Sequence, residues 1–181
     1  MKKQKLFTIS SVVIIFVIGT LSYWLYQSKT ENIKINKIFD PQNCTYTING
    51  EKITLKNGYS EKEITPDSAS KQITKYFGNE VVGDFSGNST KDTAFILTRD
   101  NGGSGIFYYV VAALNIKNTC EGTNAIFLGD RIAPQTTEFN NGEIIINYAD
   151  RKLYEPFSIK PSIGVSKYLK ITNGQLIEVN K

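Results

Sequence analysis

Oxygen-bearing side chains recur at alternate positions in the stretch GDFSGNSTKDTAFILT (residues 83–98). Alternate residues of a tight loop direct their side chains toward one point, and calcium takes six to eight hard oxygen ligands. The candidate ligands are Asp84, Ser86, Asn88 and Asp92. Two of the four are uncharged and Ser89 replaces the usual glycine, which weakens calcium binding. We therefore expect a folded polar turn with at most weak calcium affinity, in which Asp92 accepts backbone N–H bonds and Asp84 faces it.

The three arginines define a second candidate site, because each is next to an aspartate at the end of an apolar run. All other basic residues are lysines, so arginine is used where its planar fork can bind two oxygens. One interpretation is an arginine-lined patch at one end of a sheet that binds an anionic or glycan ligand. The other is a structural network of salt bridges that pins loops. The residues are Arg99, Asp100, Asp130, Arg131, Asp150 and Arg151.

The composition excludes several classes of catalytic site. The chain has no histidine, which removes Ser-His-Asp triads, Cys-His pairs and histidine zinc sites. Two cysteines are too few for a thiolate zinc or iron–sulfur site. Catalysis would have to use carboxylates, lysine, tyrosine or a bound metal, and the spacing identifies no catalytic residue. We expect no cofactor apart from the weak calcium loop.

The N-terminal segment predicts the location of the protein. Residues 6–26, LFTISSVVIIFVIGTLSYWLY, carry no charge and match the length of a membrane-spanning helix. Residues 1–5 contain three lysines, which favours an N-terminus on the cytoplasmic side. We predict a signal anchor at 6–26, a stalk at 27–43 and an extracytoplasmic domain at 44–181; a cleaved signal peptide is the alternative. The cytoplasmic membrane is therefore a predicted partner.

Charge and cysteine content agree with that location. The first 29 residues hold four lysines and no acid, and the remainder balances 17 basic against 17 acidic residues. A neutral domain argues against nucleic acid as a partner. Cys44 and Cys120 are the only cysteines. Outside the cytoplasm they can form one disulfide, and two buried free thiols are the alternative.

Asn-Gly pairs and apolar runs predict antiparallel hairpins. Three examples are CTYTI-NG-EKITL, EF-NNG-EIIINYAD and KYLKIT-NG-QLIEV. The run IFYYVVAAL is apolar throughout, which predicts an inner strand covered on both faces. Residues 65–78, TPDSASKQITKYFG, have the capping residues and apolar spacing of a helix. We therefore predict an α+β domain, a mainly antiparallel sheet with one packed helix that follows a transmembrane helix.

Five pieces of sequence resemble a family of small, uncharacterised envelope-associated domains of uncultured small-genome bacteria. They are YFGNEVVGDFSGNSTKDTAFILT, GGSGIFYYVVAALN, NAIFLGDRIAPQ, NYADR and GVSKYLK. The pieces lie between residues 76 and 170, and the resemblance as a whole covers roughly residues 46–170. The family form of the first piece is similar to the calcium loops of integrin-like and dockerin-like repeats, and this chain departs from it at Ser86, Asn88 and Ser89. The resemblance implies an extracytoplasmic location and supplies no activity.

Together these features predict a membrane-anchored, extracytoplasmic, non-catalytic binding or structural module of the cell envelope, with a cell-wall or glycan ligand. The alternative is a carboxylate-dependent hydrolase that acts on envelope glycans. Such an enzyme would need two facing carboxylates, and the 17 acids of the chain give no basis for choosing a pair.

Overall fold

The computed structural model describes residues 39–180, together with Thr20. Residues 38–181 form one compact unit, Ile38–Lys181. Its described part consists of strands and one short 3-10 turn, η1 (Pro41–Asn43). The strands are β1 (Thr45–Ile48), β2 (Glu51–Thr54), β3 (Tyr59–Glu63), β4 (Lys71–Gly83), β5 (Asp92–Asp100), β6 (Ile106–Ile116), β7 (Thr119–Gly122), β8 (Ile126–Asp130), β9 (Ala133–Asn140), β10 (Glu143–Asp150), β11 (Ile163–Thr172) and β12 (Gln175–Val179).

The Asn-Gly hairpins predicted from the sequence are confirmed. They join β1 to β2, β9 to β10 and β11 to β12, and all three pairs are antiparallel. At Asn141 and Gly142, for example, φ is 50° and 76°. Two successive positive φ angles give the tight turn whose twist matches that of the flanking strands.

The strands form three sheets that lie in three layers. The central sheet has six strands in the order β3-β4-β5-β6-β7, with β8 beside β7 along the same edge of β6. A four-stranded sheet, β12-β11-β10-β9, covers one face, and the β1–β2 hairpin covers the other. The side chain of Asn124 bonds both backbone groups of Leu176, which ties the chain next to β8 to β12.

Strand β6 shows why the domain needs two covering layers. Val110 and Ala112 lie in the core shared with the four-stranded sheet, whereas Tyr109 and Val111 lie in the core shared with the β1–β2 hairpin. Successive side chains of a strand point to opposite faces, so a run that is apolar throughout must be buried on both. The predicted inner strand is therefore confirmed.

The predicted helix over residues 65–78 is wrong, and so is the α+β class that it implied. Residues 65–68 form a turn, closed by a bond from Ser68 N to Thr65 O, and β4 begins at Lys71. Tyr76 packs on Phe95 on one face of the sheet, and the next residue, Phe77, packs on Tyr108 on the other face. Only a strand sends neighbouring residues to opposite faces.

The local reason for this error is the composition of the segment. Ile73, Thr74, Tyr76 and Phe77 are residues that favour strands, and their spacing fits a helix and a strand equally over so short a length. Pairing of β4 with β3 on one side and β5 on the other decides the outcome. The described part of the protein is therefore an all-β structure.

A disulfide joins two of the layers. Cys44, directly before β1, is bonded to Cys120 in β7, with 5.8 Å between their Cα atoms. The bond ties the β1–β2 hairpin to the edge of the six-stranded sheet. Of the two states left open for these cysteines, the paired one is the one found.

Apart from Thr20, the predicted membrane anchor at residues 6–26 lies outside the described residues, as does most of the predicted stalk. Within the described part, no helix is long and apolar enough to cross a membrane. Residues 39–43 of the predicted stalk pack on the domain: Gly58 N donates to Gln42 O at 2.8 Å, and Tyr46 Oη donates to Pro41 O at 2.7 Å.

Candidate functional site

The predicted calcium loop lies between β4 and β5, and Asp92 is its central acceptor. Asp92 is fully buried at the start of β5. Its Oδ2 accepts bonds from the backbone N–H groups of Phe85 and Ser86 and from the Ser86 hydroxyl, each at 2.9 Å. Its Oδ1 accepts from the backbone N–H of Asn115 at 2.8 Å, beyond the loop. Asp92 thus turns back into the loop as predicted.

The other oxygens of this loop also bind the protein itself. Asp84 is exposed and accepts three backbone N–H bonds, from Gly87, Asn88 and Ser89, at 2.7 to 3.1 Å. The side-chain oxygen of Asn88 accepts from Thr90 N at 2.8 Å. Among the described residues, no group of three or more acidic or cysteine side chains is placed to hold a metal ion. Backbone and hydroxyl donors thus satisfy the carboxylates.

The first Arg–Asp pair lies apart from the other two. Arg99 is 5% exposed and donates to Glu51 at 2.5 Å and to Gln72. It alternates with Phe95 and Leu97, so it lies on the face that the β1–β2 hairpin covers. Its Nε has no hydrogen-bond partner among the described residues. Asp100 instead accepts from Gly102 N in the β5–β6 turn.

The second and third pairs meet at one end of the molecule. Arg131 follows β8 and binds the neighbouring Asp130 with two donors, at 2.8 and 3.1 Å. Asp130 also accepts from the backbone N–H of Ile106, which fixes it to the start of β6. Arg151 follows β10 and donates to the backbone oxygen of Arg131 at 2.8 Å. The structure therefore brings two of the three predicted pairs together.

Both arginines hold the connection between β10 and β11, which we call the β10–β11 loop (residues 151–162). Arg151 donates to the backbone oxygens of Ile159 at 2.7 Å and of Phe157 at 3.4 Å. The guanidinium of Arg131 stacks on the Phe157 ring, 3.6 Å from its centre. A cation–π contact at such a site contributes about 0.5–1 kcal/mol. The arginines thus bind parts of the loop.

The β10–β11 loop carries apolar side chains that the sequence analysis did not single out. Leu153 is 81% exposed and Tyr154 is 93% exposed, while Phe157 and Ile159 are about half exposed. Isolated exposed apolar residues are ordinary, but four within one connection of the chain are a concentration of the kind found at interaction sites. The available signal was the segment KLYEPFSIKP, whose prolines exclude a regular strand while its composition stays apolar.

A groove on the central sheet contains one of the candidate carboxylates, that of Asp100. It encloses about 160 Å³ and is lined by Ile73, Lys75, Thr98, Asp100 and Ile106. Its single carboxylate already accepts a backbone bond. On the other face, hydrogen bonds from Lys62 and then Arg99 lower the pKa of Glu51. A general acid in glycoside hydrolysis needs a shift in the opposite direction.

No protein-family model matches the chain, and no curated protein or solved structure matches it. The resemblance to envelope-associated domains therefore stays a prediction from the sequence.

Proposed function

We propose that the protein is a non-catalytic binding module of the cell envelope, anchored in the cytoplasmic membrane with its β domain on the outer side. The observation that carries the proposal is the β10–β11 loop, where Leu153 and Tyr154 are exposed although the loop is held by hydrogen bonds. Apolar side chains that stay exposed to water contribute no hydrophobic stabilisation to the fold. Their use is in contact with another component.

The extracytoplasmic location has support from the disulfide and from the sequence. A disulfide that closes a long stretch of chain is typical of proteins in oxidising compartments. The uncharged run at 6–26, preceded by lysines, supplies the predicted anchor. A reporter fused to the C-terminus should be active only on the outer side of the membrane. Activity of a cytoplasmic reporter at that position would contradict the location.

The carboxylate arrangement favours a binding module over a hydrolase. The pKa of Glu61, like that of Glu51, lies below its usual range, because Lys71 and then Tyr59 donate hydrogen bonds to it. Asp84, Asp92, Asp100 and Asp130 are engaged by backbone N–H groups. The two glutamates therefore hold their protons less readily than usual, and the four aspartates have their oxygens taken up by backbone donors, which leaves no facing carboxylate pair among them.

The test is sedimentation of the unit formed by residues 38–181 with envelope fractions, separated into membranes and cell-wall fragments. We expect the unit to bind one of the fractions and to release no soluble saccharide from the cell wall. Release of saccharide in proportion to added protein, lost in Asp100→Asn, would favour the hydrolase instead. Failure to bind any fraction would remove the proposal.

A further inference from the structure

The β10–β11 loop has the side chains of a membrane-docking element. Leu153 and Tyr154 are the central residues of the turn 152–155, which we call the tip of the loop, and they are 81% and 93% exposed. Phe157 and Ile159, which contact Arg131 and Arg151, are about half exposed. The tip is held in shape by two bonds across it, from Glu155 N to Lys152 O at 3.0 Å and from Lys152 N to the Glu155 carboxylate at 3.1 Å. The apolar side chains therefore project from a fixed turn.

The charges of the loop add a second, independent observation. The loop holds Arg151, Lys152 and Lys160 against one acid, Glu155, whose carboxylate is directed into its own turn. The whole unit of residues 38–181 carries 15 basic and 16 acidic residues. The loop that carries the exposed apolar side chains is thus net positive, in a domain that is otherwise slightly acidic. Basic side chains next to a membrane attract the headgroups of anionic lipids.

We propose that the β10–β11 loop docks on a lipid bilayer that contains anionic headgroups, with Leu153 and Tyr154 entering the interface and Lys152 and Lys160 contacting the headgroups. The inference rests on the proposed binding function and names its partner. Tyrosine is favoured at the membrane interface because its ring is apolar and its hydroxyl stays in contact with water.

The geometry fits a bilayer better than a sugar polymer. A glycan site combines an aromatic face with polar donors that converge on it. At Phe157 the donors of Arg151 bind backbone oxygens and Arg131 covers one face of the ring, and the open ring of Tyr154 has no hydrogen-bonded polar side chain fixed against it among the described residues. A projecting tip also lacks the concave wall of a small-ligand site. A bilayer interface accepts a projecting apolar side chain without a complementary shape.

The only tryptophan of the chain is Trp24, so the unit of residues 38–181 contains none. This unit has its own two cores and its disulfide, and can be used alone. Tyr154→Trp then places one fluorescent reporter at the tip of the loop. We expect its emission to shift to shorter wavelength with vesicles of phosphatidylcholine and phosphatidylglycerol, and the affinity to be about tenfold higher than for phosphatidylcholine alone at low salt.

Matched variants make the result specific to the loop. Phe77→Trp replaces a half-exposed aromatic residue of β4 and should show no shift. Lys152→Glu together with Lys160→Glu, in the Tyr154→Trp background, should remove the preference for phosphatidylglycerol. Both side chains are exposed, so an unchanged unfolding midpoint will show that the fold is intact. An equal shift in Phe77→Trp would indicate nonspecific adsorption and overturn the proposal.

Two further outcomes would also overturn the membrane proposal while leaving the binding function in place. One is binding to cell-wall fragments with no emission shift on vesicles, which would assign the loop to a polymer. The other is binding to native membranes that protease treatment of those membranes abolishes, again with no shift on vesicles, which would assign it to a protein. Absence of binding to vesicles and to every envelope fraction would remove both proposals.

Discussion

The loop between β4 and β5 and the β10–β11 loop differ in how they use their polar groups. In the first, the carboxylates of Asp84 and Asp92 accept bonds from the loop's own backbone, and the partly buried Phe85 packs against the core. In the second, Arg151 binds the backbone from the base of the loop, and the apolar side chains remain in water. The first loop thus satisfies its carboxylates with hydrogen bonds inside the protein, whereas the second leaves apolar side chains exposed to solvent.

This difference bears on how the charged motifs of the sequence should be interpreted. Residues with the types of a ligand site, such as Asp92 and Arg151, have their polar atoms bound within the protein. The surface that is free for a partner consists of their neighbours, including Leu153 and Tyr154. In the proposed function, charged residues at strand ends position the contact surface, and their apolar neighbours make the contact.

The largest effect is expected at Asp92. Asp92 is fully buried, and Asp92→Ala leaves three part-buried backbone N–H groups without their acceptor, at Phe85, Ser86 and Asn115. We expect the free energy of unfolding to fall by about 3–5 kcal/mol, since each unsatisfied buried donor costs about 1–3 kcal/mol. Urea unfolding of the unit of residues 38–181 measures this.

Asp84→Ala is the matched control for that prediction. It removes the same number of backbone bonds from an exposed position, where water can replace the acceptor. Its cost should be about 1 kcal/mol, as for a capping residue. Equal costs at the two positions would mean that burial of Asp92 does not control the stability of this loop.

A smaller effect is expected at Arg151, which holds the second loop. Arg151→Met removes the bonds to the backbone oxygens of Arg131, Phe157 and Ile159. We expect a loss of about 1–2 kcal/mol in stability, because these oxygens are partly exposed to water. Hydrogen exchange should accelerate in the β10–β11 loop and stay unchanged at Asp92. Uniform acceleration throughout the unit would show that Arg151 stabilises the whole fold.

The fold could be predicted from the sequence wherever local signals and packing agree. The Asn-Gly hairpins were predicted correctly because Asn-Gly strongly favours a tight hairpin turn. The inner strand β6 was predicted correctly because an unbroken apolar run favours a strand buried on both faces. β4 was mistaken for a helix because its strand pairing, with β3 and β5, depends on residues distant in sequence. The packed helix of the predicted α+β class is consequently absent, and the β1–β2 hairpin and the four-stranded sheet cover β6.

The site was only partly predictable for a similar reason. The sequence identified Arg131 and Arg151 as special, and the structure does bring them together. It could not show that their donors bind backbone oxygens, since those partners have no side-chain signature. Leu153 and Tyr154 were not predicted as site residues, because their exposure depends on the tertiary position of the loop. From sequence alone, apolar residues are usually assigned to a core.

The smallest effect is expected from calcium. Ligand that binds only the folded state raises stability by RT ln(1 + [L]/Kd). Because backbone donors already occupy Asp84 and Asp92, we expect millimolar calcium and a chelator to give the same unfolding midpoint. A rise of several degrees with calcium that vanishes in Asp84→Ala would show that the first loop is a metal site, and the contrast between the two loops would then fail.

The central claim is that the apolar side chains of the β10–β11 loop, and not the guanidinium groups of Arg131 and Arg151, make the contact with the envelope. Its most direct test is sedimentation of the Leu153→Ser, Tyr154→Ser double variant with envelope fractions, beside Ile177→Ser, a half-exposed apolar residue of β12. Both variants keep Arg131 and Arg151. The account predicts that the double variant loses binding at an unchanged unfolding midpoint while Ile177→Ser binds normally. Binding of the double variant at the level of the unaltered unit would contradict the account.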